Sequence, residues 1–272
     1  MENPCCVDEN STYKLSKEYH RKDYPLFYIK HMLQEEIEEE EFIAFVLYRI
    51  FENESIKGKR LLDVGSGPTV HRIASATKVF SEIILSEYAE ANRQELQKWL
   101  NNDPNALDWS AFIAMTARLE KYGNTEKGIK TIESRIRQRV KSVLPCDVFK
   151  EYLGLNPSDV GKFDVVFTSY CLECSCPTVE AYKSAIKKLE YFLVPGGALI
   201  MIVIIDSSYC IYVNDSEKLK FYDLSVSEQL VKEALEEANL DIKHWYFNKD
   251  IGEDDTTKCK GILVLSALKK ID

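Results

Sequence analysis

An apolar run that ends in an acid, two glycines and a proline, Leu61-Leu62-Asp63-Val64-Gly65-Ser66-Gly67-Pro68, constrains this chain more than any other stretch. It reads as a strand, Arg60–Val64, turning sharply where a helix should begin. Gly65 and Gly67 can take backbone angles closed to other residues, and they leave room for a ligand directly over the chain. Pro68 suits a first helical position, because its fixed φ fits a helix and its missing N–H would be an orphan there. The helix is expected over Thr69–Ala76. A ligand at this turn would lie at a strand's carboxyl end, the usual crevice of open α/β sheets.

The turn is not the dinucleotide fingerprint, since Val70 occupies the place of its third glycine. By itself it is equally compatible with a structural bend that binds nothing. Glu87 supplies a second element. It closes the next apolar run, Ile83–Ser86, about 20 residues downstream, where nucleotide-binding α/β folds place a ribose-binding carboxylate.

Alternation continues along the chain. Ala89–Asn101 has helical spacing, with Leu96, Trp99 and Leu100 on one face. A charged helical insertion follows over Thr125–Val143. Phe163–Ser169 is β-branched and aromatic, as a buried parallel strand should be. A helix is expected over Val179–Phe192, a turn at Pro195-Gly196-Gly197 and a central strand over Ala198–Ile205. Ser227–Ala238 reads as a helix and Cys259–Leu268 as a last strand. This order predicts an α/β fold with a mostly parallel central sheet and helices on both faces.

The 272 residues, 45% of them hydrophobic, suffice for one large core, and no Gly/Ser/Pro-rich linker interrupts them. A single domain over 1–272 is expected, with an N-terminal extension to residue 58 and a core over 59–272. Within the extension, a tyrosine-rich segment over Ser11–Tyr28 precedes an acidic helix over Gln34–Ile50. Its glutamate run is expected to form a solvated first turn favoured by the helix dipole.

The formal net charge of −9 opposes phosphate backbones, so nucleic acid is not an expected partner. No apolar run reaches the length of a membrane span, and the polar start does not read as a signal peptide, so a soluble, cytoplasmic protein is expected. Cys171, Cys174 and Cys176 lack the companion ligands of a zinc site. No metal is expected; these are small side chains at a strand-to-helix junction.

The Leu62–Thr69 turn, the later Leu193-Val194-Pro195-Gly196-Gly197 and the strand order between them resemble class I S-adenosylmethionine-dependent methyltransferases, a Rossmann-like fold. Three further blocks narrow the likeness: Asn92-Arg93-Gln94-Glu95-Leu96 with Trp99-Leu100, Arg139-Val140-Lys141 with Val143-Leu144-Pro145 and Asp147-Val148, and Cys171-Leu172-Glu173 with Pro177. They resemble the animal small-amine N-methyltransferases that act on nicotinamide, phenylethanolamine and indolethylamine. The similarity extends from about Tyr13 to Leu268.

That resemblance implies S-adenosyl-L-methionine as cofactor, S-adenosyl-L-homocysteine as product and a helical N-terminal lid. It implies that Gly65, Ser66, Gly67 and Thr69 line the methionine and its carboxylate, and that Glu87 takes the ribose hydroxyls. Tyr88 and Asn92 would flank the adenosine, Asp147 and Val148 would hold the adenine, and Ser169 would lie near the amino acid end. Tyr24 would cover the reacting centre. Where the family has a tyrosine near the cofactor carboxylate, this chain has His71; another tyrosine of the lid aligns with Ile29, unless Tyr28 takes its place. Asp63 and Asp164 are expected to bind backbone N–H groups at strand ends, and Tyr13 and Tyr19 to pack on the lid.

Acceptor choice is expected to rest on acids, because a buried ammonium needs anionic compensation. The phenylethanolamine-methylating relatives imply Glu173, Asp206 and one of Asp254 and Asp255, with Asp255 preferred. Val203 stands where the nicotinamide enzyme has an aspartate. The expected activity is therefore in-line methyl transfer to the nitrogen of a phenylethanolamine- or indolethylamine-like amine by a monomeric enzyme, with Glu173 accepting the proton. The alternatives are a pyridine such as nicotinamide, a thiol or selenol, or cofactor binding without catalysis.

Overall fold

The structure is a computed structural model describing residues 18–52, 56–123, 125–213, 217–250 and 259–271. Its centre is a seven-stranded sheet of order β3-β2-β1-β4-β5-β9-β8. The strands are β1 (Arg60–Val64), β2 (Glu82–Glu87), β3 (Val140–Pro145), β4 (Phe163–Ser169), β5 (Leu193–Ile205), β8 (Leu240–Asn248) and β9 (Gly261–Lys269). The neighbours from β3 to β5 pair in parallel, whereas β9 runs antiparallel to both β5 and β8. A separate hairpin joins β6 (Tyr209–Val213) to β7 (Lys218–Tyr222).

Side chains of a strand alternate between faces, and helices cover both faces here, so both sets are apolar. In β5, Ile200 and Ile202 enter the core on one side, while Leu199, Met201 and Val203 enter the core on the other. The helices are α1 (Tyr24–Glu35), α2 (Ile37–Glu52), α3 (Glu90–Leu100), α4 (Ser110–Leu119), α5 (Glu126–Arg139), a single turn α6 (Leu172–Ser175), α7 (Val179–Phe192) and α8 (Glu228–Glu237). Helices α7 and α8 pack on the second face, and most of the others on the first. Three helix starts are set by hydroxyls that accept from a backbone N–H three residues on: Thr125 for α5, Thr178 for α7 and Ser227 for α8. Asp164 accepts from the N–H groups of Lys59 and Arg60 at 2.7 and 2.8 Å, fixing the entry to β1.

Several expectations need correction. No α-helix follows the glycine turn; residues 69–70 are irregular, 71–74 form a bend and a turn, and Ser75–Lys78 a 3-10 helix. Every residue from Pro68 to Thr77 is buried, a demand that a helix with one buried face cannot meet. Hydroxyls compete for the backbone as well: Thr69 Oγ1 donates to the Ser66 carbonyl at 2.9 Å, and Thr77 Oγ1 to that of Ala74. Helix α5 stops at Arg139, because Val140–Pro145 enters the sheet directly as β3. The N-terminal helical region starts at Tyr24 and divides at Glu36.

The glutamate run is not simply a solvated turn. Glu40 is 1% exposed, and its carboxylate meets Arg72 and His71. Helix α2 places Ile43, Val46, Leu47 and Ile50 at helical spacing against the core, which turns Glu40 inward with them.

Ile50 is 0% exposed and Phe45 on the same helix 49%. Ile50→Ala is expected to cost about 2–5 kcal/mol and Phe45→Ala within about 0.5 kcal/mol, as measured by urea unfolding.

Candidate active site

The carboxyl ends of β1, β2 and β4 open into a cavity of about 570 Å³, within the usual range for small-molecule sites. It lies where the chain, having laid down β1, β2 and β3 in one direction, crosses back to place β4 on the other side of β1. Its floor is the glycine turn. Gly65 has φ of +73° and Gly67 of +60°, both in the left-handed region. A Cβ on Gly65 would come within 2.2 Å of Cys171 Sγ, whereas one on Gly67 would meet nothing within 4 Å.

Glu87 organises one wall. Its carboxylate accepts from the N–H groups of Gly67 at 2.9 Å and Ala89 at 2.8 Å, and from Asn92 Nδ2 at 3.1 Å. Burial nevertheless raises its pKa, the three hydrogen bonds opposing the shift. Because Asn92 donates to Glu87, its Oδ1 turns away, buried and without a partner among the described residues. Asp63, expected to bind a backbone N–H, instead has its Oδ1 buried without a partner, and burial and then Glu87 raise its pKa. Beyond Glu87 the cavity is lined by half-exposed Tyr88 and by Asp147, Val148 and Phe149. Asp147 accepts from the Phe149 N–H at 2.9 Å, which holds this loop in a tight turn.

The opposite end is aromatic. Tyr24 and Tyr28 descend from α1, Tyr19 precedes that helix, Tyr212 comes from the β6–β7 hairpin and Tyr170 follows β4. Tyr19 and Tyr24 lie 5.2 Å apart centre to centre, Tyr28 and Tyr212 5.6 Å, and Phe221 packs 4.7 Å behind Tyr212. An ion pair between Arg21 and Glu217 at 2.8 Å ties this N-terminal segment to the hairpin. Tyr170 has φ of +49°, a strained conformation for an aromatic residue, and its hydroxyl donates to Glu39 at 2.6 Å. Burial raises the pKa of Glu39 to about 8, with Glu36 adding to the shift and Tyr170 opposing it.

Of the residues expected to bind cofactor, Tyr24, Tyr28, Gly65, Ser66, Gly67, Thr69, Glu87, Tyr88, Asn92, Asp147, Val148 and Ser169 line this cavity. His71 does not. It stacks against Trp109 at 5.0 Å and Phe112 at 4.9 Å, with Nε2 2.9 Å from Glu40 Oε2. Burial lowers its pKa against the pull of Glu40, so the ring is neutral, and its unpartnered Nδ1 faces apolar surroundings. The neighbouring Arg72 lines the cavity instead. Sequence position gave no signal for this exchange, which follows from the absence of a helix after Pro68. Tyr19, expected only to pack on the lid, also lines the cavity.

The acids divide. Glu173, 1% exposed, lies behind the cavity wall with Oε1 accepting from the Ile204 N–H at 3.1 Å. Burial raises its pKa to about 8. Asp206 does not line the cavity, since it sits at φ of +54° with its carboxylate on Lys260 at 2.7 Å. Asp254 and Asp255, like Tyr13, lie outside the described residues. An acid that the sequence reading missed is Asp223, just beyond β7. It lies close to Cys174, a cavity-lining residue, and its Oδ1 is buried without a partner among the described residues. Burial lifts its pKa to about 6.

A nucleoside fits this arrangement on the structure's own terms. The turn approaches the cavity with almost no side chain, Glu87 can accept hydroxyl hydrogen bonds, and Asn92 Oδ1 is an acceptor awaiting a donor.

Comparison with known proteins agrees. A profile of the NNMT/PNMT/TEMT family matches residues 7–270. The chain is 38% identical to nicotinamide N-methyltransferase from Homo sapiens over 201 residues, 74% of this chain and 72% of that protein. It is 34% identical to indolethylamine N-methyltransferase from Mus musculus over 230 residues, 83% of each chain. With phenylethanolamine N-methyltransferase from Mus musculus the identity is 35%, covering 69% of this chain and 61% of that one. Among solved structures, magnesium protoporphyrin IX methyltransferase from Synechocystis with bound SAM superposes with a TM-score of 0.56 at 12% identity, covering 99% of this chain and all of the other, a likeness of fold.

Two measurements check the local physics without ligand. Gly65→Ala is expected to lower the melting temperature more than Gly67→Ala, since both incur the left-handed penalty of about 1–2 kcal/mol but only the first meets Cys171. Glu173 holds its proton more tightly when folded than unfolded, so its contribution to stability is present below about pH 4.5 and is lost as pH rises through about 8. In Glu173→Gln that part of the stability-against-pH curve should flatten.

Proposed function

Because the chain belongs to the NNMT/PNMT/TEMT family of S-adenosylmethionine-dependent methyltransferases, we propose that it methylates the nitrogen of a small, phenylethanolamine- or indolethylamine-like amine. The observation that carries this reading is the pair of acids beside the tyrosine-lined end, Glu173, which is buried, and the half-buried Asp223, whose Oδ1 is buried without a partner among the described residues. An unpaired carboxylate in a dry wall is costly, and an arriving ammonium relieves that cost.

In this reading the nucleoside end of the cofactor lies along Glu87, Asn92, Asp147 and Val148, and its methionine end over Gly65–Thr69. When bound, the cofactor supplies an electrophilic methyl group on a sulfonium. Transfer of that methyl group to an amine, with S-adenosylhomocysteine left behind, would require the nitrogen to give up a proton, and the part of this chain's residues is to accept it and to hold the amine in line. A carboxylate with its pKa raised to about 8, as for Glu173, is a better proton acceptor than an ordinary glutamate. Asp223, at about 6, stays ionised at neutral pH and serves as the anchoring anion. Tyr24 and Tyr28, 3% and 6% exposed, exclude water from the reacting end. Most of the acceleration comes from holding nitrogen, methyl and sulfur in line.

A second reading, methyl transfer to the ring nitrogen of a pyridine such as nicotinamide, is supported by the similarity to the nicotinamide enzymes. The two readings differ in what they ask of the acids, since a pyridine nitrogen carries no proton to remove at neutral pH.

Incubation with methyl-labelled S-adenosylmethionine and a panel of phenylethanolamine, tryptamine and nicotinamide separates them. Label is expected in the alkylamines. Glu173→Gln and Asp223→Asn should each lower kcat/KM for these by about 10–100-fold, the order of a lost charge-assisted contact, while S-adenosylhomocysteine affinity changes by less than about twofold. Label in nicotinamide alone, untouched by both substitutions, would establish the pyridine reading.

A further inference from the structure

We propose that Arg72 binds the α-carboxylate of S-adenosylmethionine, and that Glu40 is the positioning residue that aims it. The inference deepens the cofactor reading above and rests on it. Among the described residues that line the cavity, Arg72 carries the one positively charged side chain. The cofactor has one anionic group, the carboxylate of its methionine. The nucleoside end of the cavity offers that group only repulsion, since its charged residues are Glu87 and Asp147. Charge thus sets the direction of the ligand, with the adenosine toward Asp147 and the amino acid toward Arg72.

The guanidinium is held for this task. Its Nε donates to Glu40 Oε1 at 3.1 Å, and Nη2 reaches the same oxygen. Nη1 donates to Ser169 Oγ at 3.1 Å, and Tyr28 lies close to the same guanidinium. Ser169 and Tyr28 both line the cavity, whereas Glu40 does not, so Glu40 occupies the edge away from the ligand. Tyr170 lies under the guanidinium plane, 5.0 Å from its ring centre. A planar fork with one edge tied and the other beside two hydroxyls is arranged to meet a carboxylate bidentately.

Glu40 also settles the charge state. Burial would raise its pKa, but Arg72 and His71 outweigh burial and bring it to about 2, so it is ionised. His71 is neutral, which leaves one cation and one anion behind the wall and a carboxylate as the ligand that Arg72 can still accept. His71 itself, the residue that sequence position suggests for the carboxylate, is turned into the Trp109–Phe112 stack and unavailable for it.

Calorimetry with two ligands that differ in one group tests this: S-adenosylhomocysteine and its decarboxylated analogue, the adenosyl thiopropylamine. The wild-type protein is expected to favour the carboxylate-bearing ligand by roughly 10–100-fold, the range of a charge-assisted hydrogen bond. Arg72→Met should abolish that preference by weakening S-adenosylhomocysteine while leaving the analogue within about twofold. Glu40→Gln should reduce the preference to an intermediate value, a change that a purely structural role would not make specific to the carboxylate. Since Arg72→Met leaves Glu40 uncompensated, the Glu40→Gln/Arg72→Met double variant, with both charges removed, is measured alongside it after a melting control. A preference that survives in the double variant, or equal weakening of both ligands, would overturn the assignment. A wild-type protein that binds neither ligand would instead overturn the cofactor reading itself.

Discussion

Glu40 and Arg72 meet where neither could be left alone. Each is at most 7% exposed, and removing one partner of a buried pair typically costs about 3–5 kcal/mol because the other charge stays in the interior. Together with the His71–Glu40 contact, the pair joins two parts of the chain that lie far apart in sequence. Glu40 comes from α2, at the start of the chain, while Arg72 lies in the tight turns after β1. Through Ser169 the same guanidinium reaches the end of β4. One ion pair thus fixes the N-terminal helices, the segment after the glycine turn and the end of β4 relative to one another.

From that anchor the electrostatics of the cavity follow. Glu87 and Asp147 lie toward one end, Arg72 near the turn, and Glu173 and Asp223 behind the tyrosine-lined wall. Apolar burial dominates the fold, yet the arrangement of charge within it gives the cavity a direction. A ligand with a neutral nucleoside, a sulfonium and a carboxylate matches that direction in order. The tyrosines supply the dry surroundings in which such charges act strongly.

Much of the scaffold was legible because its signals are local. Apolar runs mark β1, β2, β4 and β5; Thr178 and Ser227 mark the starts of α7 and α8; Gly65, Gly67 and Glu87 mark the crevice. What the sequence concealed depended on burial. Thr69–Ala76 has helical residues but no free face, so it folds into turns. The run at Glu38–Glu41 looks like solvated surface, yet the apolar positions of α2 rotate Glu40 inward. Asp206 looked suited to a pocket and instead holds Lys260, while Asp223, just past a hairpin no local pattern announced, lies close to Cys174.

The sequence by itself determined the parallel α/β scaffold, the glycine turn, the acid at Glu87 that closes the next strand and the likeness to small-amine methyltransferases, since each rests on residue type at short spacing. Only the tertiary structure decided which charges face the cavity. Whether His71 or Arg72 turns inward, and whether Asp206 or Asp223 lies behind the tyrosines, depends on side-chain direction, and neighbouring residues in tight turns point different ways. That direction is fixed by contacts between segments far apart in the chain, such as Glu40 with Arg72, which no local pattern encodes.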